Sequence, residues 1–130
     1  MAAHVIVFGL PNNITADMLE NIVNAIRGTF KNLGFDSEKV AVWMPGDLLP
    51  LDLGNNVGIF VEGLRWDATT SKQRSNEYED IRQKLAMDLL DLAKNFIIPE
   101  CVPHCKEFDV FVSPFMMPTE NGHAKWERSA

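Results

Sequence analysis

The feature that most constrains this chain is that it repeats itself. Val7-Phe8-Gly9-Leu10 returns as Val61-Glu62-Gly63-Leu64, Thr15 returns as Ser75, and Val40-x-Val42-x-x-Pro45 returns as Val110-x-Val112-x-Pro114. Short apolar strings also match by chance, but three matches in one order on matching elements favour duplication. A strand-helix-strand unit present twice leaves few architectures open, because successive elements pack as neighbours and a crossover between parallel strands is almost always right-handed. The reading is therefore one domain over 1–130, with a pseudo-repeat of 1–46 and 57–114, a connecting loop at 47–56 and a tail over 115–130.

The elements follow from residue patterns. Ala3 to Leu10 is apolar apart from His4, rich in β-branched residues, and stops at Pro11-Asn12-Asn13, which reads as a strand and a turn. Thr15 is placed to N-cap a helix, with Ile14 and Leu19 as a hydrophobic staple. Met18, Ile22, Ile26, Phe30 and Leu33 then recur at helical spacing until Gly34 supplies a C-terminal stop. Lys39 to Met44 reads as a second strand, Val57 to Trp66 as a third and Phe108 to Val112 as a fourth. Between the last two, the spacing of Tyr78, Ile81, Leu85, Leu89, Leu92 and Phe96 predicts a second helix, capped by Ser75 or Asn76 and ended by Pro99.

The strands carry a further demand. Val5-Ile6-Val7-Phe8 and Val57-Gly58-Ile59-Phe60-Val61 are apolar on both faces, so both faces of the sheet need cover. If each half forms a parallel pair and the two pairs lie antiparallel, right-handed crossovers put both helices on one face. The expected fold is α/β (α+β): a four-stranded mixed sheet with two helices on one face, the other face left for copies of the same chain. A homo-oligomer is the expected state. A ferredoxin-like sheet has the same element order and is the alternative.

Composition excludes several classes. The formal net charge of -6 repels a phosphate backbone, so no nucleic-acid partner is expected. No segment is apolar enough for a membrane span and no secretion signal opens the chain, so the expected location is cytoplasmic, without a membrane partner. Cys101 and Cys105 are then expected to stay reduced. Cys101-x-x-His104-Cys105 offers three soft ligands, but a closed zinc site takes four, and Pro99 and Pro103 make the stretch read as a turn. No phosphate loop, nucleophile elbow or paired-histidine helix is present. Neither a metal nor a cofactor is expected.

Three stretches carry a resemblance: Ala3-His4-Val5-Ile6-Val7-Phe8-Gly9, the strand Phe60-Val61-Glu62-Gly63-Leu64-Arg65-Trp66-Asp67 with its polar run into an amphipathic helix, and Glu120-Asn121-Gly122-His123. On these the chain resembles the tautomerase superfamily, which includes 4-oxalocrotonate tautomerase and macrophage migration inhibitory factor, and within it a bacterial branch. The resemblance implies paired β-α-β units, assembly as a trimer, and an isomerase that moves a proton on a keto-enol substrate. It implies an amino-terminal proline as the base and arginines that hold the carboxylate of a small anionic substrate. The chain departs from this where Ala2 and Ala3 stand in place of the proline. With Met1 removed, the primary amine of Ala2 is the candidate base; the alternative is a strand terminus without chemistry.

Other candidates come from the residues themselves. Arg65 and Arg74 flank the polar run after the third strand, and Arg27 lies on the first helix; each is a candidate for gripping an anion or a solvated surface charge. Glu62 is an acid in an apolar strand, either a general acid or base or an ionic partner across a subunit interface. His4 reads as a hydrogen-bonded core residue. Two functions remain: a keto-enol tautomerase acting on a small carboxylate, or a non-enzymatic homo-oligomeric module that binds a small ligand or only itself.

Overall fold

The computed structural model describes residues 3–45, 56–63 and 72–113, with 72–80 described by backbone alone. Strands β1 (Ala3–Phe8), β2 (Val40–Trp43), β3 (Asn56–Glu62) and β4 (Glu107–Val112) form one sheet in the order β2-β1-β3-β4. β1 pairs parallel with β2, β3 pairs parallel with β4, and β1 and β3 join the two pairs antiparallel at the centre. A ferredoxin-like sheet splits each β-α-β unit by inserting a strand of the other half. Here the strands of each half bond directly to one another, which rules that alternative out. Two parallel pairs joined antiparallel make the expected four-stranded mixed α+β sheet.

Helix α1 (Ala16–Asn32) starts and stops where its sequence dictates. Thr15 is extended, and its Oγ1 accepts the backbone N–H of Met18 at 3.2 Å, meeting one of the donors a helix start leaves unpaired. At the other end the Gly34 N–H donates to the Lys31 carbonyl and the Phe35 N–H to the Phe30 carbonyl, a Schellman motif. Gly34 takes φ +90°, and Phe35 packs edge-on against Phe30 with ring centroids 5.6 Å apart. The chain then makes a short 3-10 turn (Ser37–Lys39), capped by the Asp36 side chain, and enters β2.

Helix α2 (Lys72–Leu92) differs from expectation at both ends. It begins at Lys72, so Ser75 and Asn76 lie inside it and neither is its cap. Lys72, Gln73 and Arg74 are good helix formers, and they extend it by almost a turn. At the other end Pro99 does not stop the helical path. The path widens into a π-helical turn (Ala93–Ile97), in which the Ile98 N–H reaches the Ala93 carbonyl, and continues as α3 (Ile98–Cys101). Pro99 thus falls in the first turn of a new segment, a position where proline is tolerated.

The core lies between the helices and one face of the sheet. Ala3, Val5 and Val7 of β1, Val40 of β2 and Val57, Ile59 and Val61 of β3 are buried with Ile22, Ile26 and Phe30 of α1 and with Leu85 and Leu89 of α2. Each large apolar side chain so buried stabilises the fold by about 1.5–3 kcal/mol before entropy is counted. Alternate strand residues point to opposite faces and paired residues share one, so the register also fixes the other face. That face carries Ala41 and Trp43, His4, Ile6 and Phe8, Gly58, Phe60 and Glu62, and Asp109 and Phe111.

Candidate functional site

The helix-free face is ordered in rows across the strands. Trp43, Ile6, Phe60 and Phe111 stand in one row across all four strands. Phe60 and Phe111 pack with centroids 6.3 Å apart, yet Trp43 is 58% and Phe111 53% exposed in the single chain. Among the described residues the stripe is thus open at both edges of the sheet. The next row holds Ala41, His4 and Glu62.

Glu62 is 9% exposed and is the buried charged residue among the described residues. It takes part in an interaction of its own. His4 is its direct antiparallel partner in the β1-β3 register. Expected in the core, His4 instead lies on the face away from the helices and is partly exposed, because it is in phase with Ile6 and Phe8 and out of phase with buried Val5 and Val7. The signal was already in the alternation of β1. What the sequence did not show was the register that sets the imidazole opposite a carboxylate.

Arg27 comes to the same end of the sheet. α1 runs back along the sheet to β2, and the Arg27 Nε–H donates to the Val40 carbonyl at 3.2 Å, while Val40 pairs with Ala3 and Ala41 with His4. A guanidinium tied by one N–H to an edge strand has further donors on its terminal nitrogens, set in the fork that suits a carboxylate. Arg27 thus reaches the end of the sheet where β1 and β2 begin and β3 ends, from the helix side, while His4 and Glu62 stand at the same end on the other face. Ala2 and Arg65 lie outside the described residues. Arg74 falls in the first turn of α2 by backbone, and its side chain is likewise outside them.

The opposite end of the sheet holds a recess of about 230 Å³ lined by Asn13, Ile14, Thr15, Met18, Glu100 and Cys101. Burial pushes the Cys101 thiol above its ordinary value, and the nearby Glu100 carboxylate adds to the shift. A thiol held protonated in this way is a poor nucleophile. Cys105 is also free, its Sγ donating to the Glu107 carbonyl at 2.9 Å. Among the described residues no three His, Cys, Asp or Glu side chains converge as a metal ion would require. No helix among them is long and apolar enough to cross a membrane.

With a four-stranded mixed sheet and a histidine, a carboxylate and an arginine at one end of it, the comparisons with known proteins bear on fold. A probable enzyme from the thermophilic fungus Aspergillus fumigatus has a structure similar to this one, with a TM-score of 0.50 at 17% identity, covering 99% of this chain and 87% of that one. A structure described as a fused 4-OT wild-type asymmetric trimer has a TM-score of 0.47 at 12% identity, covering 92% of this chain and 91% of its own. No protein-family model and no curated protein matches the sequence. At 17% identity the likeness to the fungal protein is one of fold alone.

Proposed function

We propose that this chain is an oligomeric tautomerase-type isomerase that moves a proton on the keto-enol form of a small carboxylate. The observation that carries the reading is that Arg27, His4 and Glu62 stand at one end of the sheet, beside a face whose apolar stripe is left open among the described residues. In this reading Arg27 binds the substrate carboxylate by charge-assisted hydrogen bonds, together with Arg65 and Arg74. The amine of Ala2, exposed on removal of Met1, is a candidate base. Glu62 either relays a proton or pairs with a cation of a neighbouring copy.

The stripe of Trp43, Ile6, Phe60 and Phe111 supports self-association, since covering it removes apolar surface from water at about 25 cal/mol per Å². The resemblance favours three copies. The experiment is to follow ketonisation of enol phenylpyruvate or a 2-hydroxydienoate by absorbance at high protein concentration. A rate above buffer that falls at least tenfold in Arg27→Ala supports the isomerase; no rate above buffer, with Met1 shown by mass spectrometry to be removed, sinks it. The absence of a proline at Ala2 and Ala3 favours a second reading, an oligomeric module that binds a small anion or only itself. Binding of a carboxylate without turnover would select that reading.

A further inference from the structure

We infer that the copy covering this face brings lysine or arginine side chains to Glu107 and Asp109, so the surface it offers is not the same face again; this rests on the self-association proposed above. By alternation along β4, Glu107, Asp109 and Phe111 point away from the helices, in register with Asn56, Gly58 and Phe60 of β3. Both carboxylates are exposed, and neither takes part in an ion pair among the described residues. No strand position on this face holds a lysine or arginine. The described ones stand on the helices, in the turn before β2 or, as Lys106, just ahead of β4.

Asp109 cannot stay wet once the apolar stripe is covered. Phe111, 53% exposed, stands two residues along the same strand, about 7 Å away. In its own row Asp109 follows Gly58 and Phe8, and the ring of Phe8 lies over Gly58, where a Cβ would run into it. The carboxylate therefore borders aromatic rings along its strand and across the sheet. A surface pressed onto Phe8, Phe60 and Phe111 takes water from Asp109 as well, and a carboxylate so dried opposes association unless a cation or hydrogen-bond donors replace the water. The same face of another copy, as in a two-fold pair, would bring more carboxylates and no lysine or arginine, and like charges brought together select against that partner. The covering copy must therefore offer a different, cationic part of its surface.

The test is sedimentation equilibrium of the full chain, as wild type and as Glu107→Gln/Asp109→Asn, in dilute buffer and in about 0.5 M NaCl, each protein first checked by circular dichroism. Both residues are exposed, so the amide variant should fold as the wild type does. Loss of the two charges should raise the dissociation constant about tenfold or more, and salt should weaken the wild-type assembly in the same direction. The sign decides, because the chain has a formal net charge of -6 and removing acids elsewhere should tighten association or leave it unchanged. Glu20→Gln/Asp91→Asn, which neutralises exposed acids on α1 and α2, is that control. An amide variant that associates as tightly as the wild type, or more tightly, overturns the inference and leaves self-association standing. A control that loosens the assembly as much as the amide variant also overturns it. A wild-type chain that sediments as a monomer removes both, and binding of oligolysine to that monomer would give the face to a foreign cationic partner instead.

Discussion

Gly9 shows how tightly some single positions are fixed. It ends β1 at φ +82°, and a Cβ there would run into the backbone carbonyl of Asn56 on the neighbouring strand. Gly63, its counterpart in the repeat, also takes a positive φ, at 75°. Gly9→Ala should therefore destabilise by about 1–3 kcal/mol or more, from the left-handed backbone and the clash together. Gly28 lies inside α1 with nothing near its missing Cβ, so Gly28→Ala should stabilise by about 0.5–1 kcal/mol. Paired thermal melts of the two variants read opposite signs directly. Thr15→Ala should cost about 1 kcal/mol through the lost bond to Met18 N–H. Cys101 gives a chemical test: its raised thiol pKa keeps it protonated, so in a Cys105→Ser background it should react with Ellman's reagent more slowly than in the unfolded chain. Replacing Glu100 with Gln should speed that reaction. The sign for stability follows, since a proton held more tightly in the folded state contributes fully below the unfolded thiol's pKa and is lost as pH rises through the folded value.

At the scale of elements, local chemistry was the legible part. Thr15, Ile14, Leu19 and Gly34 announce the ends of α1, because caps and left-handed stops depend on residues next to one another. The ends of α2 were misread for the same reason taken too far: Ser75 and Pro99 are boundary residues by preference, but the helix formers Lys72 to Arg74 start it earlier and a π-helical turn carries the path past Pro99. Leu85 and Leu89 hold α2 against the sheet and against α1, so Leu85→Ala or Ile26→Ala should each cost about 2–5 kcal/mol in urea unfolding. The candidate site was less legible than the elements. Glu62 stood out as an acid in an apolar strand, yet only strand register could set His4 opposite it and bring Arg27 to the same end. Register depends on pairing between residues nearly sixty positions apart, which no local pattern encodes.

At the scale of the whole molecule, the echo between the two halves predicted two parallel pairs side by side with both helices on one face, and the strand order β2-β1-β3-β4 has the paired form. The face away from the described helices is not uniformly apolar: a row of Trp43, Ile6, Phe60 and Phe111 adjoins a row containing His4 and Glu62. If copies meet on this face, charge placed in the apolar row should separate them while leaving the core behind it intact. Trp43→Glu combined with Phe111→Glu changes two residues that are exposed in the single chain, so the fold should survive and the assembly should not. The proposed site lies at the margin of that same face, which ties activity to assembly. Sedimentation equilibrium of the wild-type protein at micromolar concentration tests this most directly. The prediction is a species of about three times the 14.6 kDa chain mass that becomes a folded monomer in the double variant; a wild-type protein that sediments as a 14.6 kDa monomer would contradict it.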